Sequence, residues 1–524
     1  MTVRDATFDV FRRRGLTRIF SNPGSTEIPF LTGLPEDLEF VLGLHEQAVV
    51  SMASGYALGR RRPSLVLIHT TAGFGNAVNA LATARVNRTP IVILVGQQDR
   101  RHIQFEPFLS GRLEGLAGDY PVWLEQPLRA QSVPSSIERA FHEAETRRGP
   151  AVVIVPMGDW LEEAGEPHET AAPQRVLRPG SVSDDAVAEL AALLDRAERP
   201  ALVAGARQDT DERWAALVQL AERLGCPVYQ ESFGGQAGFP QDHPQWAGLL
   251  PFDRPRLREL LAPYDLVLAV GAPVFRQSAY HAGPFVQEGT TLAVVTDDLD
   301  EAHRSPVELA VIGSPDLVCE ALAARVAQRE RPGSRLFTPP PAPAAGPPLR
   351  AGHVLQGLGD RLEPDTVLIE ECPSNQIEVT LRIPARRPLG FVSAAGGGLG
   401  WGLSSAIGLR MALPERPVVA VLGDGATVFG AHGLWSAAKY GVGPLFVVLK
   451  NGGYRIMDQL AARQGGAPAW PSFDVDIVSI AEALGCEARA IRDEATLAAT
   501  LDEVVPSLRE RQSPLLLAVE VEPD

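Results

Sequence analysis

The chain has 524 residues, enough for about three domains at the usual 100–200 residues each. Hydrophobic residues make up 45% and charged residues 21%, which excludes collagen, coiled coil and wholesale disorder. Lys plus Arg is 48 against 64 for Asp plus Glu, and the net charge of −16 repels a nucleic-acid backbone. No run reaches the ~18 uncharged apolar residues of a membrane span. Four cysteines, Cys226, Cys319, Cys372 and Cys486, lie far apart without C-x-x-C spacing. That disfavours a zinc site or a disulfide framework and makes a reducing cytoplasm the expected location.

Taken in chain order, the first third alternates apolar runs with amphipathic stretches. A helix is expected over 6–14, stopped by Gly15, then a strand over 17–20 running into the turn Asn22-Pro23-Gly24-Ser25. Further strands are expected over 40–44, 64–68 and 91–95, with helices over 47–58 and 76–84. Near-continuous apolar strands between helices imply a parallel sheet covered on both faces. Residues 164–180 carry three prolines and no apolar period, as a linker would. A second α/β unit opens with a helix over 184–196, where Val187, Leu190 and Leu194 share a face, and continues through strands over 201–204, 266–270 and 292–295. The segment 331–350, rich in Pro and Ala, forms neither helix nor ladder and reads as a tether. The last third has strands over 366–369, 418–422, 445–449 and 515–519. The expected fold is therefore α/β, with three doubly wound parallel-sheet domains over residues 1–163, 181–330 and 351–524.

Two strand ends in the last domain carry the first chemical signal. One is followed by Gly423-Asp424-Gly425-Ala426, the other by Asn451-Gly452-Gly453-Tyr454. Ligands of open α/β sheets bind at the carboxyl ends of strands, where glycines allow close backbone approach. The Asp424 carboxylate and the Asn451 amide oxygen are hard ligands suited to Mg²⁺ with phosphate oxygens in its shell. A Rossmann dinucleotide site is excluded because the Gly-rich run 396–402 fails G-x-G-x-x-G: the sixth place counted from Gly396 is Trp401, and from Gly398 it is Leu403.

The paired strand ends resemble the signature of thiamine diphosphate enzymes. The resemblance implies Asp424, Asn451 and the Gly453 carbonyl as metal ligands, with Gly425, Ala426, Tyr454 and Ser374 about the cofactor's diphosphate. Thiamine chemistry also requires a buried glutamate that shares a proton with the aminopyrimidine ring. Glu46, between an apolar strand and a helix ending in Gly55-Tyr56-Ala57, matches it. Leu399 matches the bulky residue that props the cofactor in its bent form, and the Gly397 carbonyl the group that meets its amino substituent.

Asn22 to Phe30, Leu65 to Asn76, Gly271 to Arg276 and Leu434 to Ala438 narrow the resemblance to the benzoylformate decarboxylase branch of that family, along essentially the whole chain. This implies Ser25 as the group that binds the substrate carboxylate and His69 as the group that handles protons on the substrate oxygen. The branch's second histidine falls at Ser278 here. His281, three residues on, shares that face only if the segment is helical. Cys372 lacks an activating partner and reads as packing. After Tyr454 a helix is expected, and Ile456 and Leu460 on one face make an aliphatic pocket wall with Arg455 beside it, placed to pair a second substrate anion. That wall disfavours benzoylformate relative to an aliphatic 2-oxo acid.

The implied activity is non-oxidative decarboxylation of a 2-oxo acid to an aldehyde and CO₂. The alternatives are a carboligase of the acetolactate synthase kind and a cofactor-binding protein without turnover. The resemblance also implies a homodimer at least, with a homotetramer as the expected form.

Overall fold

The computed structural model describes residues 1–166, 180, 182–344, 346–467, 470–471 and 473–522. Most of the expected linker 164–180 lies outside them. Each third of the chain builds one parallel sheet. The first contains β1 (Arg18–Asn22), β2 (Glu39–Leu42), β3 (Ser64–Ile68), β4 (Ile91–Gln97), β5 (Trp123–Glu125) and β6 (Pro150–Pro156), in the order β2-β1-β3-β4-β6-β5. The second contains β7 (Pro200–Ala204), β8 (Val228–Gln230), β9 (Trp246–Leu249), β10 (Leu266–Val270), β11 (Thr291–Thr296) and β12 (Leu309–Ile312), in the order β12-β11-β10-β7-β8-β9. The third contains β13 (Leu349–Arg350), β14 (Val367–Glu371), β15 (Val392–Ser393), β16 (Val418–Gly423), β17 (Leu445–Lys450), β18 (Glu487–Ile491) and β19 (Leu515–Glu522). Its order is β13-β19-β17-β16-β14-β15, with β18 also on β19.

The central strands β3, β4, β7, β10 and β14 are buried at every position. Helices cover both faces, so a strand with no solvent side reads as an unbroken apolar run. Two helix starts differ from expectation. The first helix begins at Val3 because Thr2 and Asp5 form a reciprocal capping box. The helix expected over 76–84 spans Thr71–Val86. Residues 331–348 carry neither helix nor strand apart from undescribed Ala345, and Leu349–Arg350 close the segment as a short edge strand.

One apolar core joins the first and third units. Its centre is the crossing of the helix Glu46–Arg60 with the helix Trp401–Ala412. A Cβ on Gly55 would lie 2.0 Å from the Ser405 carbonyl oxygen, and one on Gly408 1.9 Å from that of Met52. Both positions therefore require glycine, and the backbones approach directly. Among the described residues, no helix is long and apolar enough to cross a membrane.

Candidate functional site

The sequence-expected residues fall into two clusters and a loop between them. In the first cluster Glu46 opens its helix directly after the N-cap His45, and it is buried. Its Oε1 accepts from Asn22 Nδ2 at 2.9 Å and its Oε2 from Asn76 Nδ2 at 3.0 Å. Both donors are neutral amides, and no cation pairs with Glu46 among the described residues. The carboxyl group is thus oriented without being locked into an ion pair, as a group that must share a proton requires.

His69 stands beside it. A Cβ on Gly73 would sit 3.1 Å from Glu46 Oε1 and 3.4 Å from His69 Cβ, so the two side chains flank one glycine. His69 Nδ1 lies 3.0 Å from Glu27 Oε2 and 3.0 Å from Thr26 Oγ1. Glu27 is fully buried and also accepts from the Gly24 N–H at 2.7 Å and from Thr26 Oγ1 at 2.5 Å. With an acceptor carboxylate at Nδ1, the network assigns the proton to that nitrogen and leaves Nε2 for the reaction. Gly24 is needed for this packing, since a Cβ there would lie 2.4 Å from His69 Nδ1. Ser25 follows it, exposed at the start of a short 3₁₀ turn.

The second cluster lies at the ends of the adjacent strands β16 and β17, paired Gly423 to Leu449. Asp424 opens a helix and is buried. Its Oδ2 accepts from the N–H groups of Asn451 at 3.2 Å and Gly452 at 2.8 Å, and its Oδ1 from its own neighbour Gly425 at 2.9 Å. Asn451 Oδ1 accepts from the Gly453 N–H at 3.2 Å. No arginine or lysine pairs with Asp424 among the described residues. A buried carboxylate with only backbone donors is a charge awaiting a cation. Together with the Asn451 amide oxygen it is a hard-oxygen donor set that fits Mg²⁺. Tyr454 packs on Phe473 with ring centroids 5.8 Å apart. Ser374 Oγ accepts from the Ile456 N–H at 3.1 Å, which ties it to the following helix.

The loop between the clusters carries Gly397 and Leu399. Gly397 has φ +71° and open space where a Cβ would stand. The Leu399 carbonyl accepts from Gln47 Nε2 at 2.6 Å and Asn79 Nδ2 at 3.2 Å, both from the first unit. On the other side Glu371 accepts from the N–H groups of Gly400 and of Gly402, the latter at 2.6 Å. Burial pushes Glu371 up to about 8, and those N–H groups oppose the shift. Cys372 is buried and burial raises its thiol well above the ordinary range, in keeping with a packing role.

Three supports had weak or absent sequence signals. Glu27 sits three residues after Gly24, at capping-box spacing, within a stretch whose resemblance drew notice to Ser25. Glu371 carries no signal of its own in the sequence and braces the Leu399 loop. Gln47 had no signal beyond following Glu46.

The expectation for His281 is not met as framed. Residues 271–290 form turns and irregular chain without helix, so the three-residue offset is not recovered by helical periodicity. His281 Nδ1 faces the carbonyl of Ala279 at 3.3 Å. The helix after Tyr454 forms, over Arg455–Arg463, but Arg455 Nη1 pairs with Asp458 at 3.4 Å and is engaged within its own helix.

A parallel α/β chain with a buried glutamate held by two amides, a hard-oxygen donor set at two strand ends and a glycine-rich loop between them has parts that suit a thiamine-dependent enzyme. The chain belongs to the thiamine pyrophosphate enzymes. The family's N-terminal TPP binding domain matches residues 1–117, its central domain 187–322 and its C-terminal TPP binding domain 374–519. The chain is 38% identical over 502 residues to benzoylformate decarboxylase of Pseudomonas aeruginosa, covering 94% of this chain and 95% of that one. Among solved structures it resembles a thiamine diphosphate-dependent 4-hydroxybenzoylformate decarboxylase of Rhodococcus jostii RHA1, with a TM-score of 0.94, 34% identity and 100% of both chains covered. Benzoylformate decarboxylase of Polynucleobacter necessarius is similar at a TM-score of 0.94 and 30% identity, covering 100% of this chain and 99% of that one.

Proposed function

We propose that the protein is a thiamine diphosphate-dependent decarboxylase that removes CO₂ from a benzoylformate-like 2-oxo acid and releases an aldehyde. The observation that carries this reading is the juxtaposition of Glu46, without a cation partner among the described residues, with His69, oriented by Glu27 across one glycine. Bound thiamine diphosphate supplies the sink for the electrons that departing CO₂ leaves behind. Glu46, held by Asn22 and Asn76, keeps the proton that activates the cofactor ring. The Ser25 hydroxyl donates to the substrate carboxylate, and His69 Nε2 gives and takes the proton at the substrate oxygen. His281 is assigned no step.

Asp424, the Asn451 amide oxygen and the Gly453 carbonyl would hold Mg²⁺ in this reading. Gly425, Ala426, Ser374 and Tyr454 would contact the diphosphate, while Leu399 and the Gly397 carbonyl would hold the rest of the cofactor. Exposed apolar side chains adjoin each cluster: Ile28 and Leu44 near the first, Phe429, Met457 and Leu460 near the second. Such surface favours burial against another chain, which supports a homodimer at least and a homotetramer as the assembled form. Four buried free cysteines support the cytoplasm as its compartment.

The test is a panel of benzoylformate, a branched aliphatic 2-oxo acid and a 2-oxo diacid, with and without acceptor aldehydes. CO₂ with aldehyde is expected. Hydroxyketone as the main product would move the assignment to carboligation, and cofactor binding without turnover would end it. Ile456 and Leu460 leave the pocket wall without the offset-stacking contribution of about 0.5–1.5 kcal/mol that an aromatic wall gives a phenyl ring. The branched aliphatic acid is therefore expected to show the higher kcat/KM, with the gap narrowed in Ile456→Ala. A clear preference for benzoylformate in the wild type would refute the aliphatic wall.

A further inference from the structure

The proposed reaction uses only the first of a row of polar side chains on the helix Thr71–Val86. Asn76, Asn79, Thr83 and the C-cap Asn87 recur at intervals of three, four and four residues, the spacing that keeps side chains on one helical face. Asn76 Nδ2 donates to Glu46 Oε2 at 3.0 Å. Three residues further, about 4.5 Å along the axis, Asn79 Nδ2 donates to the Leu399 carbonyl at 3.2 Å. At the far end Asn87 Nδ2 donates to the Ser393 carbonyl and its Oδ1 accepts from the Ala395 N–H, both at 2.9 Å.

The loop 393–402 lies with its backbone along this face. A Cβ on Gly398 would stand 2.4 Å from Asn79 Oδ1 and 2.9 Å from Thr83 Oγ1, and one on Gly396 3.7 Å from Val86 Cγ2. Gly397, between them, is exposed and has nothing within 4 Å of that position. One side of the loop is therefore seated on the helix, and the other is left open. Hydrogen bonds demand a narrow distance and angle, so the amides fix where along the helix the loop sits. Gln47 Nε2 occupies the second lone pair of the Leu399 carbonyl at 2.6 Å. Thr83 adds no such bond, because its hydroxyl donates to the Asn79 carbonyl at 3.1 Å. Asn79 is itself exposed; packing does not account for an amide there, and its N–H serves the loop.

We propose that Asn79 is a positioning residue for thiamine diphosphate. By holding the Leu399 carbonyl it fixes the loop that carries Gly397 and Leu399 on the same helix whose Asn76 orients Glu46. The proposal rests on the reading that this loop holds the cofactor.

The test is calorimetric titration of thiamine diphosphate with Mg²⁺ into the full chain freed of cofactor, beside the melting temperature of that cofactor-free chain. Exchange of the bound cofactor's C2 proton is followed by NMR. The wild type is expected to bind. Asn79→Ala removes one of the two hydrogen bonds to the Leu399 carbonyl and is expected to weaken cofactor affinity at least about threefold, with the melting temperature unchanged. Asn79→Asp sets a carboxylate oxygen against that carbonyl and is expected to weaken affinity at least about tenfold. At saturating cofactor, C2 exchange is expected to slow at least about threefold in both variants, because small misplacements of reacting groups cost rate, while the KM for the 2-oxo acid stays as in the wild type. Wild-type affinity and exchange in both variants would overturn the proposal. So would a loss of affinity matched by a loss of melting temperature, which makes Asn79 a purely structural residue. A wild type that does not bind thiamine diphosphate would refute the cofactor reading, and the proposal with it.

Discussion

In the proposed reaction His69 moves protons at a substrate oxygen, a role that needs one ring nitrogen held, and Glu27 lies 3.0 Å from its Nδ1. Glu27→Gln keeps the shape but puts an amide where the carboxylate accepted from His69 Nδ1, so the proton is no longer directed to that nitrogen. General acid–base catalysis is worth about 10²–10⁴-fold. The variant is therefore expected to lose at least about tenfold in kcat with KM little changed, as steady-state kinetics would show; unchanged kcat would separate Glu27 from the chemistry. Glu371 gives a pH prediction. Its carboxyl is pushed up to about 8 by burial, whereas an unfolded glutamate titrates near 4.3. Across that interval the folded chain keeps a proton that the unfolded chain has released. Its stabilising contribution is complete below about pH 4 and lost as pH rises through about 8. Melting temperatures of Glu371→Gln are expected to fall less between about pH 5 and 8 than those of the wild type, and equal slopes would refute the assignment.

At the scale of elements, the crossing of the helices Glu46–Arg60 and Trp401–Ala412 does two jobs. It joins the cores of the first and third units, and it carries Gln47 to the Leu399 carbonyl. A Cβ on Gly408 meets a backbone oxygen, not a flexible side-chain tip, so the helices must move apart. Gly408→Ala is expected to cost about 1–3 kcal/mol, the usual range for overpacking, read from denaturant midpoints. It should also raise the KM for thiamine diphosphate, because the Leu399 loop loses its support. A variant as stable as the wild type would show that the crossing adjusts freely. The helix Arg455–Arg463 behaves differently. None of its residues is buried, and Met457 and Leu460 on its apolar face are exposed among the described residues.

For the whole molecule, the Glu46 and Asp424 clusters share no hydrogen bond among the described residues, and each carries its own exposed apolar rim. A site shared between two subunits makes a distinctive prediction. Glu46→Gln and Asp424→Ala are each expected to be inactive. Asp424→Ala should also lose metal-dependent cofactor binding by calorimetry. If one subunit's Glu46 serves another's Asp424, mixing and reassociating the two variants yields hybrid dimers with one intact site. By random pairing this restores about a quarter of the wild-type activity. Failure to recover activity, with hybrids verified by mass spectrometry, would place both clusters of a site within one chain.

The sequence by itself determined the three parallel α/β layers, because strands buried on both faces have to be nearly continuous apolar runs. β10 and the helix Asp184–Arg196 fall at the expected residues. It also placed Asp424 and Asn451 at strand ends, because both turns are local, and β16 and β17 prove to be adjacent strands. Tertiary structure alone decided which carboxylates support which groups. Glu27 reaches His69 across 42 positions of chain and Glu371 reaches Gly402 across 31; no local period records such distances. It likewise decided against a helix at His281, where the chain between β10 and β11 takes irregular turns. It also laid the loop 393–402 along one face of the helix Thr71–Val86. Asn79 is an ordinary polar residue in the sequence, and its bond to the Leu399 carbonyl, 320 positions away, exists only once the first and third units are folded against each other.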